Sequence, residues 1–156
     1  MPGARVWIAA PHETAEVTRL MLGFRDWWGR DWPDDETFAR GIERLLTSEE
    51  AEFLLAGTGD GLPAGVAALR YRYGVWQDAL DCWLEDLFVE DGARREGLGS
   101  ELVRAAIGRA HERGCRRIEL DVNDANGAAL ALYERHGFSS FVPDLGGHNR
   151  LMRLYL

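Results

Sequence analysis

The stretch Leu84 to Ser100, LEDLFVEDGARREGLGS, decides how the chain reads. It closes an apolar run, Ala79 to Val89, that carries Cys82, Leu84, Leu87 and Val89 and reads as a long strand. Glu90 to Gly97 is a polar loop. Leu98 to Arg113 then reads as a helix, with Leu102, Val103, Ala106, Ile107 and Ala110 on one side and Gly114 as its stop. A glycine-rich loop, Arg94 to Ser100, therefore joins a strand to a helix. Gly97 and Gly99 let the backbone approach a ligand closely. The first N–H groups of a helix lack acceptors and point outward with the positive end of its dipole. Such a place suits a diphosphate. The loop has neither the Gly-Lys-Ser/Thr of a P-loop nor the three glycines of a dinucleotide fold. Taken alone it is equally a plain strand–helix connection.

The flanks supply the rest of the pattern. Before it come a strand, Arg5 to Ala9, and a helix, Thr14 to Leu22, whose apolar stripe is Val17, Leu20, Met21 and Phe24. Phe24 to Asp35 reads as a structured loop, and Glu36 to Leu46 as a second helix. Glu52 to Ala56 and Pro63 to Tyr73 read as a hairpin around the turn at Thr58 to Gly61. After it come a strand, Arg117 to Val122, a helix, Asn126 to His136, and two closing strands, Phe138 to Val142 and Asn149 to Leu156. The order βαα, βββ, αβα, ββ is mixed α/β. It implies an antiparallel first half and a strand–helix–strand crossover. Residues 1–156 read as one domain, without repeats or linkers.

Composition narrows the function classes. The 26 acidic side chains outnumber the 18 basic ones, for a net charge of −8. Every basic residue is arginine. An acidic chain lacks the footprint of a nucleic-acid binder. A lysine-free chain cannot form a Schiff base on its own side chains. The two cysteines, Cys82 and Cys115, are too few for a secreted disulfide framework. Met1 to Ala10 lacks a signal-peptide core, and no run is long enough to span a membrane. A cytoplasmic protein without membrane or nucleic-acid partners is expected. The four histidines lack ligand spacing, so no metal is expected.

Four features together resemble the GCN5-related N-acetyltransferase (GNAT) family. Arg94-x-x-Gly97-x-Gly99 matches its Gln/Arg-x-x-Gly-x-Gly/Ala pyrophosphate motif. Leu84 to Val89 is similar to the spermidine/spermine and thialysine acetyltransferase branch. Asn126 to Phe138, ending LYERHGF, is like the family's second motif. The element order also matches, and the resemblance is weakest from Leu22 to Glu50. It implies a GNAT fold: a mixed sheet of about six to seven strands, splayed at the acetyl-CoA site and flanked by about four helices.

The resemblance also implies roles. Leu87, Phe88 and Val89 would bond the pantetheine arm of acetyl-CoA by strand addition. Arg94, Arg95, Glu96, Gly97, Leu98, Gly99 and Ser100 would hold the diphosphate, mostly through N–H groups. Asn126 would contact the pantetheine amides, and it equally suits a helix N-cap. Tyr133 matches a tyrosine near the thioester sulfur, where a phenol can donate a proton to the leaving thiolate. It also suits an amphipathic core position. Glu85 would be the base that deprotonates the acceptor ammonium, directly or through water. Alternation sets Glu85, Leu87 and Val89 on one face and Asp86 and Phe88 on the other, unless a bulge reverses it. Otherwise Glu85 is a solvated carboxylate or an ion-pair partner.

The acceptor side falls on Arg25 to Glu36, where Asp26, Asp31, Asp34, Asp35 and Glu36 are interleaved with Trp27, Trp28 and Trp32. Carboxylates with indoles suit a cation. Trp28, Asp31 and Glu85 are thus candidates for binding a small cationic amine such as a polyamine, a lysine-like amino acid or an aminosugar. The tryptophans equally suit packing on the core or on a second copy. Other readings are acetylation of a peptide or protein N-terminus, and a non-catalytic acyl-CoA sensor. Relatives pair through C-terminal strands, so a homodimer joined at Asn149 to Leu156 is expected.

Overall fold

The computed structural model describes Gly3 to Leu156; the Met1 and Pro2 part of the N-terminal reading lies outside the described residues. The chain groups into two compact units, one ending at Leu120 and one spanning Asp121–Leu156.

The first unit is built on a meander. Strands β1 (Ala4–Ile8), β2 (Ala51–Thr58), β3 (Gly65–Gly74) and β4 (Ala79–Val89) lie side by side and antiparallel. Strand β5 (Ile118–Glu119) adds to β4 in parallel. Helices α1 (Thr14–Trp27) and α2 (Asp35–Leu46) connect β1 to β2, and α3 (Leu98–Glu112) connects β4 to β5. Strand alternation assigns the two faces. Phe53, Leu55, Val66, Ala68 and Phe88 bury against Val17, Leu20, Met21 and Ile42 of α1 and α2. Residues one step along face the other way. A Cβ built on Gly65 would stand 3.1 Å from Leu102 of α3, which fixes α3 on that second face. There Leu98, Leu102, Val103, Ala106 and Ala110 are buried.

Helix α1 runs past its expected end at Leu22 to Trp27. Phe24 extends the stripe of Val17, Leu20 and Met21 by one turn and stacks on Phe88, with ring centroids 5.4 Å apart. Gly23 permits that approach: a Cβ there would stand 3.2 Å from the Phe88 ring. Helix α2 starts where Asp34 accepts a hydrogen bond from the Thr37 amide at 2.8 Å.

The second unit contains α4 (Gly127–Arg135) and a short antiparallel pair, β6 (Phe141–Val142) and β7 (Gly147–His148). Among the described residues four α-helices and seven strands thus make up an α+β fold, five strands in the mixed sheet and two in this ladder. The strand expected over Asn149 to Leu156 is not formed; that segment has no regular structure. Its apolar residues lack a neighbouring ladder among the described residues, and Leu151, Met152, Leu154 and Tyr155 are exposed. No helix among the described residues is long and apolar enough to cross a membrane.

Candidate active site

Strand β4 changes register within itself. Leu84 stands opposite Leu69, yet Asp86 stands opposite Ala68. Glu85 is the extra residue, a β-bulge in the middle of the strand. Pairing with β5 stops just before it, at Trp83 opposite Glu119. The expected strand Arg117 to Val122 shrinks to two residues for that reason. From Leu84 onward β4 has no ladder partner on the β5 side among the described residues. The Glu90 amide donates to the Ala64 carbonyl, toward β3, at 2.9 Å. Alternation therefore turns the Phe88 amide toward β3 as well, and directs those of Leu87 and Val89 at the open edge. Of the three residues expected to bond a pantetheine arm, Leu87 and Val89 present their amides there. Phe88 contributes its ring to the core instead.

The bulge also resolves the facing of Glu85. Regular alternation would put it with Leu87 and Val89. Instead its carboxylate lies 3.6 Å from Arg70, two residues along β3 from Ala68 and on the α1/α2 face. Glu85 and Arg70 are both partly exposed. Asp86, opposite Ala68, is on that face too.

The open edge leads directly to the glycine loop. Gly97 is the N-cap of α3 at φ +81°, a left-handed conformation that glycine adopts without strain. It has no side chain to cap the helix, and a Cβ there would meet no atom of the described residues within 4 Å. Leu98 to Ser100 form the first turn of α3, whose amides lack intrahelical acceptors. Arg95 also holds a positive φ, +74°, the kind of local strain that collects at ligand-binding turns. Arg94 is engaged within the protein. Its Nε donates to the Val89 carbonyl at 3.0 Å, and its guanidinium lies 3.1 Å from Asp91. It also lies over the rings of Trp27 and Phe88, 5.5 and 5.9 Å from their centroids. Glu90 is held from the other side by Arg19, which also donates to the Pro63 carbonyl.

On the acceptor side, the segment divides into structural and free parts. Trp27 and Trp28 pack edge to face at 5.2 Å and both contact Phe24. They remain about half exposed, and Trp32 is more so. Arg25 pairs with Asp26 and Asp35, Asp34 caps α2, and Glu36 pairs with Arg40. Asp31 makes no ion pair among the described residues and is exposed. The acidic cluster of the sequence is thus mostly committed to structure, with Asp31 the remaining carboxylate.

In the second unit, Asn126 is the N-cap of α4 and accepts from the Ala129 amide at 3.2 Å. Tyr133 is buried on α4, edge to face with Phe138 at 6.0 Å. Among the described residues no His, Cys, Asp and Glu side chains gather as metal ligands.

One polar cluster escaped the sequence reading. Glu52 of β2 accepts from Arg109 through both oxygens, at 2.6 and 2.9 Å, from Arg113 at 3.1 Å and from the Tyr71 hydroxyl at 3.0 Å. Burial would raise the Glu52 carboxyl, but these donors hold it below its ordinary range. Burial and the Glu52 charge push the Tyr71 phenol up. Burial, with Cys115 nearby, pushes the Cys82 thiol to about 12, so it stays protonated and inert. The 3.6-residue period puts Arg109 and Arg113 on one side, which was the available signal.

The comparisons with known proteins agree with this geometry. The family described as Acetyltransferase (GNAT) family matches residues 18–138. Streptothricin acetyltransferase of Streptomyces lavendulae is 36% identical over 106 residues, covering 68% of this chain and 51% of that protein. Thialysine N-epsilon-acetyltransferase of Bos taurus is 29% identical over 84 residues, covering 54% and 49%. The chain spans about half the length of these two relatives. A crystal structure from Arthrobacter sp. FB24 superposes with a TM-score of 0.86 at 30% identity, covering 97% of this chain and 95% of that one. Aminoglycoside N-acetyltransferase AAC(6')-Iy, in complex with CoA, shares the fold with a TM-score of 0.79 at 18% identity, covering 100% and 96%.

Proposed function

The chain belongs to the acetyltransferase (GNAT) family, and from that premise we propose that it transfers the acetyl group of acetyl-CoA to the nitrogen of a small amine. The observation that carries this reading is the continuity of the open β4 edge with the glycine-capped N-terminus of α3. The amides of Leu87 and Val89 would take the pantetheine arm as an added strand. The N–H groups from Arg95 to Ser100 would take the diphosphate with the helix dipole, without lysine. That matters on a chain of net charge −8, where the overall field opposes an anionic co-substrate. Arg94 serves by shaping the turn.

In the reaction the acceptor arrives as an ammonium ion. Glu85, directly or through water, takes its proton. The freed amine attacks the thioester carbonyl, an N–C bond forms, and the C–S bond breaks. CoA leaves as a thiolate, which Tyr133 protonates, and the second proton shed by the acylated nitrogen returns through solvent to the Tyr133 phenolate. Asn126 would contact the pantetheine amides while capping α4. An amide at the β4 edge would stabilise the oxyanion. Trp28 and Asp31 would draw the acceptor, and the relatives named for streptothricin, thialysine and aminoglycosides support a cationic amine. The exposed Leu151, Met152, Leu154 and Tyr155 support a homodimer, which light scattering would measure. Two free cysteines support a cytoplasmic setting.

The test is thiol release from acetyl-CoA across a panel of polyamines, basic amino acids, aminosugars and peptides. Turnover with small amines is expected. Turnover confined to peptide N-termini, or acyl-CoA binding without any transfer, would overturn the reading.

A further inference from the structure

Resting on the reading of Glu85 as the base, we propose that Arg70 determines the acceptor class. The pair would take an amine that carries a carboxylate on the neighbouring carbon, an α-amino acid. Arg70 is on β3, on the α1/α2 face, and the bulge brings Glu85 to it at 3.6 Å. That separation is an ion pair but longer than a hydrogen bond, so both groups keep bonding capacity. The buried Arg70 Nε has no hydrogen-bond partner among the described residues. The guanidinium is therefore not anchored from behind, and its side chain is 41% exposed.

A guanidinium next to the base is a handicap for a simple amine. It repels the incoming ammonium. An acceptor that brings its own carboxylate turns that repulsion into attraction. The carboxylate meets the planar fork of Arg70, the ammonium meets Glu85, and the two ion pairs align head to tail. Guanidinium and carboxylate stand side by side in the protein, which matches groups one carbon apart in the ligand. A basic α-amino acid would in addition offer its side-chain cation to Asp31 and the tryptophans.

The experiment compares L-lysine with cadaverine, and L-methionine with 3-(methylthio)propylamine, in the native chain and in Arg70→Gln and Arg70→Lys. The native protein should favour each amino acid by about tenfold to a hundredfold in kcat/KM, the worth of a charge-assisted bond. Lysine should be acetylated on its α-nitrogen. Arg70→Gln should raise KM for the amino acids and lower it for the plain amines, bringing the ratio near unity, and Arg70→Lys should restore part of it. Equal or better turnover of cadaverine by the native protein overturns the inference while leaving the amine reading intact. So does acetylation on the ε-nitrogen, or an Arg70→Gln loss shared equally by both acceptors. A native protein that acetylates no amine removes the amine reading itself.

Discussion

Arg94 donates from Nε to the carbonyl of Val89 at 3.0 Å, closing the turn between β4 and the glycine loop. The same guanidinium covers Trp27 and Phe88, so one side chain ties the glycine loop to the end of α1. Its contribution depends on a flat, forked donor, which lysine lacks. Arg94→Lys should therefore weaken acetyl-CoA about as much as Arg94→Ala does. A KM for acetyl-CoA about tenfold above native is expected for both, on the worth of one bond to a charged donor. If Arg94 instead held the diphosphate by charge alone, Arg94→Lys would keep a near-native KM.

The proposed reaction assigns its two proton transfers to Glu85 and Tyr133. Glu85→Gln removes the proposed base and should lower kcat by about a hundredfold to ten-thousandfold. Added bases or a raised pH should recover part of that loss, because more acceptor is then already neutral. Tyr133→Phe should lower kcat while the affinity for CoA, measured by calorimetry, stays near native. A fully active Tyr133→Phe removes the proposed acid.

The strand from Ala79 to Val89 and the helix from Leu98 were legible because each signal is local: an apolar run, a glycine pair and a helical stripe. The bulge was not, since alternation fixes faces only while the register holds, and one extra residue reverses them. The end of α1 was misjudged because its last turn is held by Phe88, 64 positions beyond Phe24 in the chain. The Glu52 cluster joins residues 57 and 61 positions apart, beyond the reach of any periodicity. At Asn149 to Leu156 the apolar residues suggested a strand, but pairing rather than propensity makes one.

Gly97 tests the helix N-terminus. Its φ of +81° costs any residue with a Cβ about 1–2 kcal/mol, although the Cβ itself would meet no atom. Gly97→Ala should lower Tm by several degrees and raise KM for acetyl-CoA. Gly97→Asn should do so less, because asparagine tolerates the left-handed region. Equal effects of the two would point to lost access for the co-substrate rather than to backbone strain.

Glu52 carries a prediction for stability that catalysis does not touch. Its carboxylate satisfies Arg109, Arg113 and the Tyr71 hydroxyl at once. Glu52→Gln leaves two guanidinium groups short of an anion and should cost about 1.5–3 kcal/mol near neutral pH. The folded carboxyl is held below its unfolded value, so this stability is complete above the unfolded pKa. It is lost as pH falls through the lower, folded value. Thermal melts of the native protein and of Glu52→Gln should therefore differ most near neutrality. They should converge below about pH 4, where the unfolded carboxyl takes up its proton. A gap that widens on acidification would show that Glu52 does not hold its charge within this cluster.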